Sequence, residues 1–175
     1  MKLSTISISL LFLLILNGCG FSLRGTSELP PGITVMRLSA AQPHSALKRM
    51  LEKRLKPYAV QLIGQSPATT DAALSLHIVA DSLNRRLLSL FPTGQVAEYE
   101  LIYSVRYQLQ FPDKDAQLVE FEIRREYQDD PDAVLAKSRE LELVLGEMRQ
   151  QAADRMIHQI SVTHAKLAKL ETRNF

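Results

Sequence analysis

The chain has 175 residues, enough for one domain with a sizeable core, and an ordinary composition: 46% hydrophobic, 23% charged and no Trp. A formal net charge of +2 is too mild for a nucleic-acid binder, and a single cysteine, Cys19, excludes an internal disulfide. There is no internal repeat and no low-complexity tract.

The chain opens with a targeting pattern. Lys2 is a short positive region, and Ile6 to Leu16 is apolar apart from Ser7 and Ser9. A run of about eleven residues is too short for a transmembrane helix, which needs about 20. Leu16-Asn17-Gly18-Cys19-Gly20 closes it, with Leu three residues and Gly one residue before the cysteine. These are the residue types of a lipoprotein processing site. Cleavage between Gly18 and Cys19 is expected, with acylation of the thiol and the new amine. The alternative is an inert, buried cysteine behind an ordinary signal peptide. Residues 1–18 are then a leader and 19–32 a lipidated tether ending at Pro30-Pro31-Gly32. One acyl chain anchors only marginally, so several would be needed for stable attachment. By the sorting rule of Gram-negative lipoproteins, Gly20 in place of Asp points to the outer membrane.

A single domain is expected over 33–168, with 169–175 as a tail. Ile33 to Leu38 reads as a short strand with Ile33 and Val35 on one face. Ser45 is a suitable N-cap for a helix to about Lys56, in which Leu47, Met50, Leu51 and Leu55 form one apolar stripe. Pro57 stops it. Tyr58 to Ile63 reads as a second short strand, followed by a loop at Ser66-Pro67.

A long hairpin follows. Leu74, Leu76, Ile78 and Ala80 alternate with more polar neighbours, and the phase changes near Asp81-Ser82-Leu83, which predicts a bulge. The strand resumes through Arg85, Leu87 and Ser89. Phe91-Pro92-Thr93-Gly94 is the turn, where Gly94 is free to take positive φ. The return strand carries the clearest pattern. Ala97, Tyr99, Leu101, Tyr103, Val105, Tyr107, Leu109 and Phe111 occupy every second position, so one face is buried and one is wet. After a turn at Pro112 to Asp115, Val119, Phe121, Ile123 and Tyr127 mark a third strand. Asp130 is expected to cap the final helix, with Pro131 at its first position. That helix runs to about Ala168, with a core stripe of Leu141, Val144, Leu145, Met148, Ala152, Met156 and Ile160. The pattern predicts an α+β fold: two helices packed on one face of a mixed, mostly antiparallel sheet of four to five strands.

Catalytic motifs do not emerge. His158 and His164, six apart, do not share a helix face, and no histidine has a partner at metal-ligand spacing. Asp129, Asp130 and Asp132 are explained by helix capping. There is no G-x-S-x-G, no phosphate loop and no cofactor motif. Glu98 and Glu100 flank Tyr99 on a strand, so they point to one solvent face and meet basic neighbours there rather than forming an acid/base pair. The expectation is a non-enzyme without a cofactor. Tyr99, Tyr103 and Tyr107 share a strand face and read first as core; the other reading is a half-wet contact surface.

Three segments resemble a known family in the same order along the chain. Cys19-Gly20-Phe21-Ser22-Leu23-Arg24-Gly25 resembles the mature N-terminus of the lipopolysaccharide-assembly lipoproteins of the LptE family. Thr93-Gly94-Gln95-Val96-Ala97-Glu98-Tyr99 looks like that family's hairpin tip. Asp130-Pro131 with Leu135-Ala136-Lys137, then Glu147-Met148 and Ala152-Ala153, resemble its last helix. The resemblance implies two helices on a mixed sheet. It also implies an outer-membrane lipoprotein, anchored by lipid at Cys19, that faces the periplasm. Such a protein sits within the lumen of an LptD-type β-barrel, helps it assemble, plugs it and binds lipopolysaccharide. A polar face suits the polar lumen of a large barrel. Two other classes share anchor and compartment: an auxiliary lipoprotein of a lipid-transport ABC system, and a scaffold lipoprotein of another barrel-assembly machine. Co-purification of a large barrel, of an ABC permease, or of neither separates them.

The resemblance also assigns site residues. Pro92, Thr93, Gly94 and Gln95 are expected at the barrel contact. Lys137 is expected to meet lipopolysaccharide phosphate. The family's second basic residue falls just before the hairpin Gly-Gln, where this chain departs with uncharged Pro92. Arg85 or Arg86, upstream on the same arm, is expected to supply that charge. The plainer reading leaves them as solvated strand residues and Lys137 as a helix-surface lysine.

Overall fold

The structure is a computed structural model that describes residues 29, 30, 32–64 and 74–173. The leader, the processing site with Cys19, and the Ser66-Pro67 loop lie outside the described residues.

Strand β4, Val96–Gln110, runs through the middle of the meander, and its alternation gives it one buried and one open face. Leu101, Tyr103, Val105, Tyr107 and Leu109 are buried, while Arg106, Gln108 and Gln110 are exposed. Strand β3, Leu74–Leu90, lies antiparallel on one side of β4, and β5, Gln117–Gln128, lies antiparallel on the other. Strand β1, Val35–Ala40, pairs parallel with β3, and short β2, Gln61–Ile63, pairs parallel with β1. The sheet order is β2-β1-β3-β4-β5. Helix α1, Ala46–Leu55, makes the crossover that two parallel strands require. Helix α2, Val134–Glu171, spans 38 residues, about 57 Å at 1.5 Å each, and lies along the same face as α1. The helices are joined by Arg54 Nε and Asp154 Oδ1, 2.6 Å apart. The α+β expectation holds, with five strands.

The core follows from the stripes. Leu47, Leu51 and Leu55 of α1 and Met148, Ala152, Ala153, Met156, Ile157 and Ile160 of α2 close over the inner sheet face. A hydrogen-bonded polar pair is built into the edge of this core. The Tyr103 hydroxyl donates to Asp81 Oδ2 at 2.6 Å, with Arg149 of α2 beside them. Burial pushes the Tyr103 phenol far above its ordinary range, and Asp81 adds to the rise. Leu141, Val144 and Leu145 are only half-buried, and Val134, Leu135 and Leu143 are exposed. The first third of α2 therefore sits more loosely than the rest.

Four local expectations are corrected. Strand β1 starts at Val35, and Met36 and Leu38 are the apolar residues it buries, on the face opposite Val35. After α1 the chain makes a 3-10 turn over Lys56–Tyr58, with Pro57 inside it and Ala59 at φ 53, so only Gln61–Ile63 pairs as strand. Asp130 does not cap α2. Its carboxylate accepts from the Asp132 amide at 3.0 Å, and its carbonyl accepts from Ala133 at 3.1 Å, which closes a turn through Pro131. The helix begins three residues past Pro131, at Val134, with no side-chain cap. It ends at Glu171 rather than near Ala168.

Candidate functional site

The bulge in β3 decides which side chains meet at the hairpin end. The register with β4 slips between Ile78 and Ala80, so Val79 is the extra residue. Leu74, Leu76 and Ile78 face the core before it. Without the slip Arg86 would follow them inward. With it the inward series becomes Asp81, Leu83 and Arg85. Arg85 thus stands opposite buried Leu101, and Arg86 stands opposite Glu100 on the open face. There Arg86 Nη2 is 2.7 Å from Glu100 Oε2. The neighbouring Glu98 accepts from Ser89 Oγ at 2.8 Å. Glu98 and Glu100 therefore have structural partners, one of them basic.

On the helix side the same end of the sheet carries a row of cations and rings. The Arg85 guanidinium lies 6.0 Å from the Tyr99 ring centroid. Tyr99 is directly opposite Tyr127 on β5. The Lys137 ammonium lies 5.2 Å from the Tyr127 centroid. Tyr127 reaches α2 itself, donating to the Lys137 carbonyl at 2.6 Å. Burial pushes the Tyr127 phenol up, Glu140 and Asp129 add to this, and Lys137 and Arg85 oppose it. Lys137 is half-buried, and its ammonium donates to Glu140 Oε2 at 2.9 Å. That hydrogen bond raises the Lys137 pKa, so the side chain stays a fixed cation.

The hairpin turn adjoins this row. Phe91 N donates to Gln95 O at 2.8 Å and Gly94 N to Phe91 O at 2.9 Å, while Gly94 adopts φ 84 as its turn position requires. Asp129 N donates to Ala97 O at 2.9 Å, which holds the β5–α2 connection against the base of the turn. Between turn and connection lies an open groove of about 600 Å³, lined by Phe91, Pro92, Thr93 and Gln95 on one side and Asp129, Asp130 and Lys137 on the other. Leu87, Leu88, Leu90 and Phe91 are exposed on the same arm.

The structure therefore brings Lys137 and the 92–95 turn to one groove and Arg85 to the adjoining row. It does not bring Arg86 there. Tyr103 and Tyr107 are core, as the plainer reading held, whereas Tyr99 is half-buried at the margin of the row. Sequence reasoning missed the parts of Tyr127 and Glu140. The period-two pattern marked Tyr127 as inward, and the spacing from Lys137 to Glu140 is a helical pair, but only the packing of α2 against β5 joins them. Among the described residues, no helix is long and apolar enough to cross a membrane.

Fold and groove together define a class: an α/β sandwich with an open groove at one end, beside two held cations, paired tyrosines and an exposed apolar arm. The chain belongs to the LptE lipopolysaccharide-assembly family, whose model matches residues 34–160. It is 34% identical to the LPS-assembly lipoprotein LptE of Yersinia enterocolitica, over 94% of this chain and 78% of that protein. It is 32% identical to the LptE of Pectobacterium atrosepticum, over 86% of this chain and 80% of that protein. The crystal structure of rare lipoprotein B from Shewanella oneidensis superimposes with a TM-score of 0.70 at 42% identity, over 77% of this chain and 98% of that one. The solution structure of lipoprotein B from Nitrosomonas europaea gives 0.65 at 26% identity, over 83% and 93%.

Proposed function

We propose that this chain is an outer-membrane lipoprotein of lipopolysaccharide assembly. Acyl groups on Cys19 hold it to the membrane, it joins and plugs an LptD-type β-barrel, and it binds lipopolysaccharide at the groove between the hairpin turn and α2. The observation that carries the ligand reading is the placement of Arg85 and Lys137 on one face, at either end of the Tyr99–Tyr127 pair. Lipid phosphates need fixed positive charge, and both cations are already oriented by rings. Arg85 takes the place of the charge that Pro92 lacks. The exposed Leu87, Leu90 and Phe91 beside them offer apolar surface to acyl chains. The open sheet face, with Arg106, Glu120, Glu122 and Arg124, suits the polar lumen of a barrel. The role is binding and positioning rather than catalysis.

The test compares purified variants in lipopolysaccharide binding. Arg85→Ala with Lys137→Ala should weaken binding severalfold, since each partly exposed charged contact is worth about 0.2–1 kcal/mol. Arg86→Ala should leave it unchanged, because its charge faces away and is paired with Glu100. Equal losses from Arg85→Ala and Arg86→Ala would remove the groove from the site. Photocrosslinkers at Arg106, Glu100 and Thr93 should capture a large barrel, and failure at all three would count against the plug. Intact-mass spectrometry of membrane-extracted protein should show a lipidated Cys19 and no residues 1–18.

A further inference from the structure

The charges of α2 are divided along its length. From Asp129 to Glu147 there are six acids and two cations, Lys137 and Arg139. From Arg155 to Arg173 there are four cations and one acid, Glu171, and Lys114 Nζ sits 3.1 Å from that acid. The basic half has an exposed stripe. Val162, Lys166, Lys169, Leu170 and Arg173 recur at helical spacing and are all exposed, Val162 at 47% and Leu170 at 46%. Thr163 and Ile160 face the core instead. An outward row of cations of this kind is drawn to an anionic headgroup surface.

Topology places that stripe where the chain leaves the domain toward Cys19. Strand β3 runs toward the 91–95 turn, and β1 is parallel to it, so Val35 lies at the opposite end, the base. The last turns of α2 reach the same base: His164 packs on Phe111 with centroids 6.0 Å apart, and Lys114 of the 111–116 turn pairs with Glu171. Lys53 and Lys56 at the end of α1 add exposed cations to it, against Asp113 and Asp115 in the turn. Leu29 and Ile33 pack against the core. The ten or so residues from Cys19 to Leu29 span at most about 35 Å. Helix α2 is about 57 Å long. A tether of that reach keeps the base near the bilayer and is too short to let the domain stand on its hairpin end.

We propose that the base, centred on Lys166, Lys169, Leu170 and Arg173, docks on the anionic phospholipid headgroups of the bilayer that holds the anchor. Headgroup phosphates meet the cations while Leu170 and Val162 enter the interface. The hairpin groove with Lys137 and Arg85 then lies at the other end of α2 from the docked stripe. This inference rests on the acylation of Cys19 for its geometry, but the surface itself is testable without the lipid.

The measurement is vesicle flotation of residues 19–175 produced without acyl groups. The chain should float with phosphatidylglycerol-containing vesicles, and not with pure phosphatidylcholine, and added salt should release it. Lys166→Glu with Lys169→Glu and Arg173→Glu should reduce flotation at least tenfold, because each cation near an anionic surface contributes about fivefold. If that variant unfolds, Lys166→Gln with Lys169→Gln gives the same direction more weakly. Arg139→Glu, at the other end of α2, should change nothing. Equal flotation of wild type and base variants, equal loss from Arg139→Glu, or no flotation on either lipid would overturn the proposal. Mass spectrometry at Cys19 reports separately on the anchor.

Discussion

The Tyr127 hydroxyl donates a 2.6 Å hydrogen bond to the backbone carbonyl of Lys137, tying the end of β5 to the first turn of α2. The carbonyl belongs to a helix start without a side-chain cap, at the loosely seated end of α2. The tyrosine therefore positions Lys137 twice, through its hydroxyl and through its ring.

Tyr127→Phe keeps the ring and removes the hydrogen bond. The expected loss is about 1 kcal/mol, or a fall of about 2–4 °C in Tm for a chain of this size. Hydrogen exchange should speed up over the first turns of α2 and leave Met148 to Ile160 protected. Uniform acceleration along the helix would show that the bond does not act locally.

Tyr103 and Tyr107 are equally buried neighbours on β4, yet their hydroxyls differ. Tyr103 donates to Asp81, while the Tyr107 hydroxyl is buried with no partner among the described residues. Tyr103→Phe strips half-buried Asp81 of this donor at the edge of the core and should cost about 1–3 kcal/mol. Tyr107→Phe removes an unsatisfied group and should be neutral or stabilising. Denaturant melts of the two variants should therefore shift in different directions or by clearly different amounts.

Alkaline pH tests the same pair. Burial pushes the Tyr107 phenol from 10.0 up to about 12, and Tyr103 is pushed higher. Above pH 10 the unfolded chain loses phenolic protons that the native state still holds. Stability is therefore complete below pH 10 and falls as pH rises from 10 toward 12. Tyr107→Phe should make that fall shallower, which urea midpoints across the range would show.

Gly94 has φ 84, and no atom lies within 4 Å of where a Cβ would stand, so Gly94→Ala meets only backbone strain. The expected cost of about 1–2 kcal/mol falls on the turn. Amide protection at Phe91 and Gly94 should drop while the core melt changes less.

Much of this arrangement was legible in the residues, for reasons that also explain what was not. The alternation of β4 is long and uninterrupted, so its buried face could be read position by position. Lys137 and the 92–95 turn could be named from the family's motifs. Arg85 and Arg86 were inseparable because one extra residue reverses every face beyond it. A phase change near Asp81 signalled a bulge, but which arginine turns to the helix side is fixed only with Val79 placed. Asp130 misled because a carboxylate before Pro reads equally as a helix cap or as a turn, and here the turn takes it. The Tyr99–Tyr127 pair depends on register between strands, which local pattern does not carry.

The sheet order has a consequence for the order of events in folding. Strands β3, β4 and β5 are joined by the short turns 91–95 and 111–116, so their pairing closes small loops. Strand β1 finds β3 only across α1 and β2, with Met36 against Leu74. Loop closure of that span is entropically costlier, and parallel pairing gains little until both strands are in place. The hairpins and α2 are thus expected to form before the N-terminal segment docks at their edge. A newly exported chain would then build its hairpin and groove first, and the segment nearest the anchor would close the molecule last.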